Sequence, residues 1–143
     1  MADTMQFDLV SPERRLASGE ATEVHIPGAE GDLTAMAGHM PLITTLRPGI
    51  LRIVGPNGTD EYAVTGGFAE INAEGASILA EESLHVSDVT QEAIDRFMEK
   101  AAERVRAARD AGDQNLVDEA TKLVADMVAM GDHIGLSPKQ PSL

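Results

Sequence analysis

Cysteine and tryptophan are absent from this chain of 143 residues, and no lysine occurs before Lys100. Without thiols there is no disulfide, no thiolate chemistry and no zinc–cysteine site. Aromatic residues make up 3% of the chain, with Tyr62 the single tyrosine, so no platform exists on which bases or sugars would stack. The lysine-free stretch also lacks the cation that a phosphate-binding loop requires. Apolar runs last only a few residues, far short of the roughly 20 that span a bilayer. The opening Met1-Ala-Asp-Thr-Met-Gln6 has neither the basic region nor the apolar core of a signal peptide. A soluble chain is expected.

What the chain has in excess is acid. Its formal charge is −13, from 24 acids against 11 bases. Up to Val86 there are 13 acids and 4 bases, and after it 11 acids and 7 bases, so the first part carries most of the charge. Such a surface repels phosphate backbones and anionic headgroups, which argues against nucleic acid and against direct membrane insertion. The apolar fraction of 43% suffices for a core built from Leu, Ile, Val, Ala and Met.

Up to Val86 short apolar or alternating segments recur, at Met5–Val10, Glu23–Ile26, Leu42–Leu46, Ile50–Val54, Glu61–Thr65, Phe68–Asn72, Ala76–Ala80 and Leu84–Val86. In the first, Met5, Phe7 and Leu9 share one face and Gln6 and Asp8 the other, the period of two of a half-buried strand. Pro27-Gly28, Pro48-Gly49, Pro56-Asn57-Gly58 and Glu74-Gly75 punctuate them as turns. Eight to ten short strands at regular spacing predict an all-β sandwich of about ten antiparallel strands over residues 1–86.

At Ser87-Asp88 the period changes. Ile94, Phe97, Ala101, Val105 and Ala108 recur at three- and four-residue steps, and Leu116, Ala120, Leu123, Val124, Met127 and Met130 form a second stripe. Gly112 stops the first helix and Asp113 caps the next. The prediction is an α-helical antiparallel hairpin over 87–133, with 134–143 a flexible tail. Small residues such as Ala93, Ala101, Ala102, Ala107 and Ala108 let the helices approach closely, and each buries little area.

Enzyme chemistry is hard to place on these residues. Pro27-Gly-Ala-Glu-Gly31 and Thr65-Gly-Gly67 follow strands, but neither has phosphate-loop spacing nor opens a helix, so turn glycines are the better reading. His25, His39, His85 and His133 fall at no ligand-pair spacing. His25 is expected to face solvent, His85 and His133 to be ordinary surface residues, and His39 to serve either a turn or a partner. The acids Glu81-Glu82 and Asp60-Glu61 read as solvated faces and edge-strand protection rather than acid–base pairs. No catalytic, cofactor-binding or metal-ligating residue is nominated. An exposed turn-rich loop and a separable amphipathic hairpin point instead to an interaction protein.

Four motifs in order carry a resemblance. Ile26-Pro-Gly-Ala-Glu-Gly-Asp-Leu-Thr-Ala-Met-Ala-Gly-His-Met-Pro-Leu42, Leu46-Arg-Pro-Gly-Ile50, Val64-Thr-Gly-Gly-Phe-Ala-Glu-Ile-Asn72 and Ile78-Leu-Ala-Glu81, with the opening Phe7-Asp-Leu-Val-Ser-Pro12, resemble the epsilon subunits of bacterial F-type ATP synthases, the counterparts of mitochondrial delta. The resemblance implies a non-catalytic subunit of the rotating central stalk, bound to gamma and seated on the ring of c subunits at the cytoplasmic face of the bacterial inner membrane. It would couple proton-driven rotation to ATP synthesis. Asp32 and His39 fall at positions associated with the c-ring contact. The hairpin would regulate ATP hydrolysis by extending toward the alpha and beta subunits.

Two departures bear on regulation and packing. Some members bind ATP through Ile/Leu-Asp-x-x-Arg-Ala in the hairpin. From Ile94-Asp95 this chain has Met98 and Glu99 at the last two places, and an acid there opposes a triphosphate, so no cofactor is expected. Leu79-Ala-Glu-Glu-Ser83 replaces the usual Leu-Ala-Asp-Thr-Ala. The alternatives are a free-standing β-sandwich binding module whose hairpin dimerises and, third, a small-molecule enzyme using the acidic loops.

Overall fold

The computed structural model describes residues 4–137. It divides into two compact units, Met1–Val86 and Ser87–Leu143; of the expected tail, residues 138–143 lie outside the described residues.

The first unit has ten strands: β1 (Met5–Ser11), β2 (Arg14–Ala21), β3 (Glu23–Gly28), β4 (Gly31–Ala35), β5 (Leu42–Leu46), β6 (Gly49–Gly55), β7 (Gly58–Val64), β8 (Gly67–Ile71), β9 (Gly75–Ala80) and β10 (Ser83–His85). They hydrogen-bond in the order β10-β7-β6-β3-β5-β8-β9-β1-β2, with β4 beside β3. A single pairing, Gly28 with Leu46, joins the β3 and β5 halves, so the sheet folds over on itself as a sandwich close to a barrel. Every pairing is antiparallel except β1 with β9, which runs parallel from Gln6–Gly75 to Val10–Leu79.

Alternation decides which side chains meet inside. Met5, Phe7 and Leu9 point inward as their period requires, and Leu9, Val24, Leu51 and Val64 are wholly excluded from solvent. With Ile26, Ile53, Ile71 and Ile78 they form one buried cluster drawn from all the longer strands. Each such side chain contributes about 1.5–3 kcal/mol by leaving water. The strands β2 and β4 escaped the sequence reading because neither carries an apolar alternation. β2 (RRLASGEA) buries only Ala21 and β4 (GDLTA) only Ala35.

A 3-10 turn, Val86–Asp88, leads to the second unit, helices α1 (Gln91–Asp110) and α2 (Gln114–Ile134). Thr90 caps α1, its Oγ1 accepting from the Ala93 amide at 3.1 Å. Asp113 caps α2 by accepting from Asn115 and Leu116. The predicted α1 stripe of Ile94, Phe97, Ala101, Val105 and Ala108 is buried throughout, whereas Leu116 of the α2 stripe is 48% exposed. Gly135, left-handed at φ 86°, ends α2.

Candidate interaction surfaces

Strand direction sorts the sandwich into two ends and two outer faces. One end collects the β1–β2, β3–β4, β5–β6, β7–β8 and β9–β10 turns, because Gly28 pairs with Gly31 and Leu46, Gly49 with Val64, and Gly67 with Ala80. Glu13, Glu30, Asp32, Glu81 and Glu82 lie on these turns, against Arg14 and Arg47. This end is therefore acidic.

Asp32 stands at the β3–β4 turn and is exposed; its carboxylate pairs with the Arg47 guanidinium. His39 lies elsewhere. It follows β4 in the loop 36–41, which is tied to the β8–β9 turn by a hydrogen bond from the Gly38 amide to the Ala73 carbonyl, 3.1 Å. His39 is half-buried, and its Nδ1 sits 2.5 Å from the Met40 carbonyl. The two residues expected to share a contact thus occupy opposite ends of β4, separated by a strand that rises about 3.3 Å per residue. Their closeness in sequence hid this, since a strand carries its two ends apart.

The outer faces differ in polarity. On the β4-β3-β6-β7 side, Thr34, His25, Arg52 and Glu61 stand in register across four strands. His25, outward-facing as expected, bridges Glu23 through Nε2 at 3.0 Å and Thr34 through Nδ1 at 3.1 Å. On the β1-β9-β8-β5 side the register places Val10, Leu79, Phe68 and Thr45 in one row and Asp8, Ser77, Glu70 and Ile43 in the next. Here Ile43 is 70% exposed, Phe68 44% and Leu79 38%. The nearby loop adds Met40, 79% exposed. Apolar side chains spread over one strand face in this way mark an interaction surface. The sequence held the signal: Phe68 alternates against buried Ala69 and Ile71, and Leu79 against Ile78 and Ala80.

Titratable chemistry is sparse. Among the described residues no group of three or more His, Asp or Glu is arranged to hold a metal. His85, read as a surface residue, is half-buried; its Nε2 lies 3.1 Å from Asp60 Oδ1 and its ring stands edge-on to Tyr62 at 5.1 Å. Burial, and secondarily the Asp60 carboxylate, pushes the Tyr62 hydroxyl above its ordinary 10.0. On α1, Met98 is 1% exposed and Glu99 pairs with Arg106 at 2.5 Å. A phosphate would find a buried thioether and an acid already satisfied by the neighbouring cation, so these residues do not fit the nucleotide motif.

Residues 4–86 match the family described as ATP synthase, Delta/Epsilon chain, beta-sandwich domain. The chain belongs to the ATP synthase delta/epsilon family. The match spans the whole β unit, and the relatives extend it into the hairpin. The ATP synthase epsilon chain of Ruegeria sp. (strain TM1040) is 55% identical over 137 residues, 95% of this chain and 100% of the relative. That of Paracoccus denitrificans (strain Pd 1222) is 55% identical over 141 residues, 96% of this chain and 95% of the relative. Like these epsilon chains, the protein is a non-catalytic ATP synthase subunit. The fold is shared with a chain of the Euglena gracilis mitochondrial ATP synthase structure comprising OSCP, F1 and c-ring, at TM-score 0.62 and 21% identity over 86% of this chain and 76% of that one. A chain of the Tetrahymena thermophila central stalk and c-ring structure gives 0.52 and 17%, over 85% of this chain and 97% of that one. Among the described residues no helix of this delta/epsilon family member is long and apolar enough to cross a membrane.

Proposed function

We propose that the protein is a rotor subunit of a proton-translocating F-type ATP synthase, held peripherally at the cytoplasmic face of the bacterial inner membrane, where it couples c-ring rotation to ATP synthesis. The observation that carries this reading is the exposed apolar face of Ile43, Phe68 and Leu79. A chain of net charge −13 leaves such a face uncovered only where a partner covers it. We assign that partner to gamma. The acidic turn end bearing Asp32 is suited to the polar loops of the c ring, and a ten-stranded sheet folded over on itself between the two contacts is the stiff element that torque transmission requires. His39, at the far end of β4, belongs on this reading with the gamma-facing loop rather than the ring contact. The hairpin, a separate unit rich in small residues, is the element suited to regulating ATP hydrolysis through the alpha and beta subunits.

Affinity purification of the tagged chain from solubilised native membranes tests the proposal. Gamma and c subunits should elute with it in stoichiometric amounts. Recovery of the chain alone, or as a homodimer, would favour a free-standing binding module instead.

A further inference from the structure

The Asp32 turn closes a tight hairpin in which Pro27 pairs with Asp32 and Gly28 with Gly31, and Gly31 and Asp32 are exposed. It is bounded by Gly28 and Gly31, the latter at φ 140° with nothing within 4 Å of the place a Cβ would take. Pro27 and Gly28 are buried and Ala29 is half-buried, so it is the exposed Gly31–Asp32 side that can open locally at small free-energy cost. A contact that bears torque needs the opposite.

The rigidity comes from the neighbouring β5–β6 turn. Arg47 donates through Nη1 to the Gly28 carbonyl at 3.0 Å and through Nη2 to Asp32 Oδ1. Its own amide donates to the Pro27 carbonyl at 3.0 Å, and the Ala29 amide donates back to Thr45 at 2.8 Å. The approach is so close that a Cβ on Gly49 would meet the Pro27 Cβ at 2.8 Å. The Arg47 side chain is 26% exposed and that of Asp32 75%, so the cation is largely sheltered while the carboxylate it orients faces outward. The planar guanidinium serves the carbonyl and the carboxylate from two nitrogens held in a fixed fork, whereas lysine would have to serve both from one flexible ammonium.

We propose that Arg47 is a positioning residue for the ring contact: it clamps the β3–β4 turn onto the β5–β6 turn and presets the Asp32 carboxylate toward the partner. The clamp rests on the reading of Asp32 as a ring-facing residue, and the test separates the two. Amide hydrogen exchange on the isolated full-length chain reports the clamp directly. Arg47→Ala should speed exchange across residues 28–32 by about tenfold or more, as loss of a charge-assisted hydrogen bond implies, while β8 and β9 stay protected. Arg47→Lys should recover only part of that protection. In membranes, Arg47→Ala and Asp32→Ala should each lower ATP synthesis, and Arg47→Ala should add nothing in the Asp32→Ala background. Unchanged exchange in Arg47→Ala, or fully additive losses in the double variant, would overturn the clamp. Faster exchange with synthesis untouched in both single variants would leave the clamp standing and remove the ring-facing reading of Asp32.

Discussion

Gly67 lies so close to Leu79 on the neighbouring strand that a Cβ at its Cα would sit 2.0 Å from the Leu79 carbonyl oxygen. Its φ of 120° is moreover a conformation that side chains rarely adopt. Two strands, β8 and β9, therefore meet at the acidic end at a distance set by a missing methyl. Gly67→Ala should destabilise the sandwich by on the order of 4 kcal/mol, the range reserved for backbone clashes that cannot relax. At about 4–8 °C per kcal/mol for a domain of this size, the melting temperature should fall by more than about 15 °C. A thermal shift below about 5 °C would mean that the strands separate easily.

Ser83 gives the opposite expectation. It is 8% exposed, and its Oγ has no hydrogen-bond partner. A buried polar atom left unpaired costs about 1–3 kcal/mol. Ser83→Ala removes that atom without changing the shape of the site appreciably, and should raise stability by about 1 kcal/mol. Equilibrium urea unfolding measures it. A loss of stability would reveal that the hydroxyl is bonded through water.

The apolar face can be broken without breaking the fold. Ile43 and Phe68 are among the most exposed large hydrophobics of the chain, so Ile43→Glu and Phe68→Glu should each cost less than about 1 kcal/mol. A charge placed there would have to be desolvated in the proposed gamma contact, at several kcal/mol per unpaired ion. The double variant should fold, melt near the parent temperature and fail to co-purify with gamma. Retention of gamma at parental stoichiometry would move the docking surface elsewhere on the sandwich.

The hairpin should not respond to ATP. Met98 is buried, and the Glu99 carboxylate holds Arg106, so a triphosphate would lose this ion pair and face an acid. Calorimetry on the full chain should show no binding tighter than about 1 mM, equivalent to about 4 kcal/mol. Saturable binding at micromolar ATP would overturn the assignment and locate a site that the epsilon-type motif does not describe.

How much of this was legible beforehand depends on what each residue advertises locally. The inward set Met5, Phe7 and Leu9 and the α1 stripe from Ile94 to Ala108 were readable because burial follows their period. The strands β2 and β4 were not, since RRLASGEA and GDLTA carry no apolar run or alternation, whereas β5, with equally little buried, still shows one in LITTL. The parallel β1–β9 pairing joins residues about 70 apart in sequence, and local pattern says nothing about so distant a partner. The same limit governed the surfaces. Asp32 and His39 looked like neighbours until β4 carried them to opposite ends, and the Arg47 clamp joins residues 15 apart across two turns. His85 carried no sign of Asp60 or Tyr62, which reach it across the β7–β10 pairing.

The hairpin should be dispensable for assembly and synthesis. Every residue of the sandwich's buried cluster, from Met5 to Ala80, belongs to the first unit, so that core does not depend on the helices for its members. An 86-residue domain buries something over about 60% of its unfolded surface, enough to fold alone. The hairpin is poorer in large side chains: of the eight buried positions on α1, Ala93, Ala101, Ala102 and Ala108 are alanine, against Ile94, Phe97, Met98 and Val105. A unit of that composition is stable only weakly by itself and is suited to changing its contacts. Residues 1–86 should therefore express as a cooperatively melting sandwich, join the ATP synthase in place of the full chain and support ATP synthesis at near the parental rate. Hydrolysis should stay the same or rise, since loss of the proposed inhibitory element would relieve inhibition. Both rates are measured in membranes whose sole copy of the subunit is the truncated one. Failure of the fragment to assemble, or a collapse of synthesis despite assembly, would make the helices a structural part of the rotor.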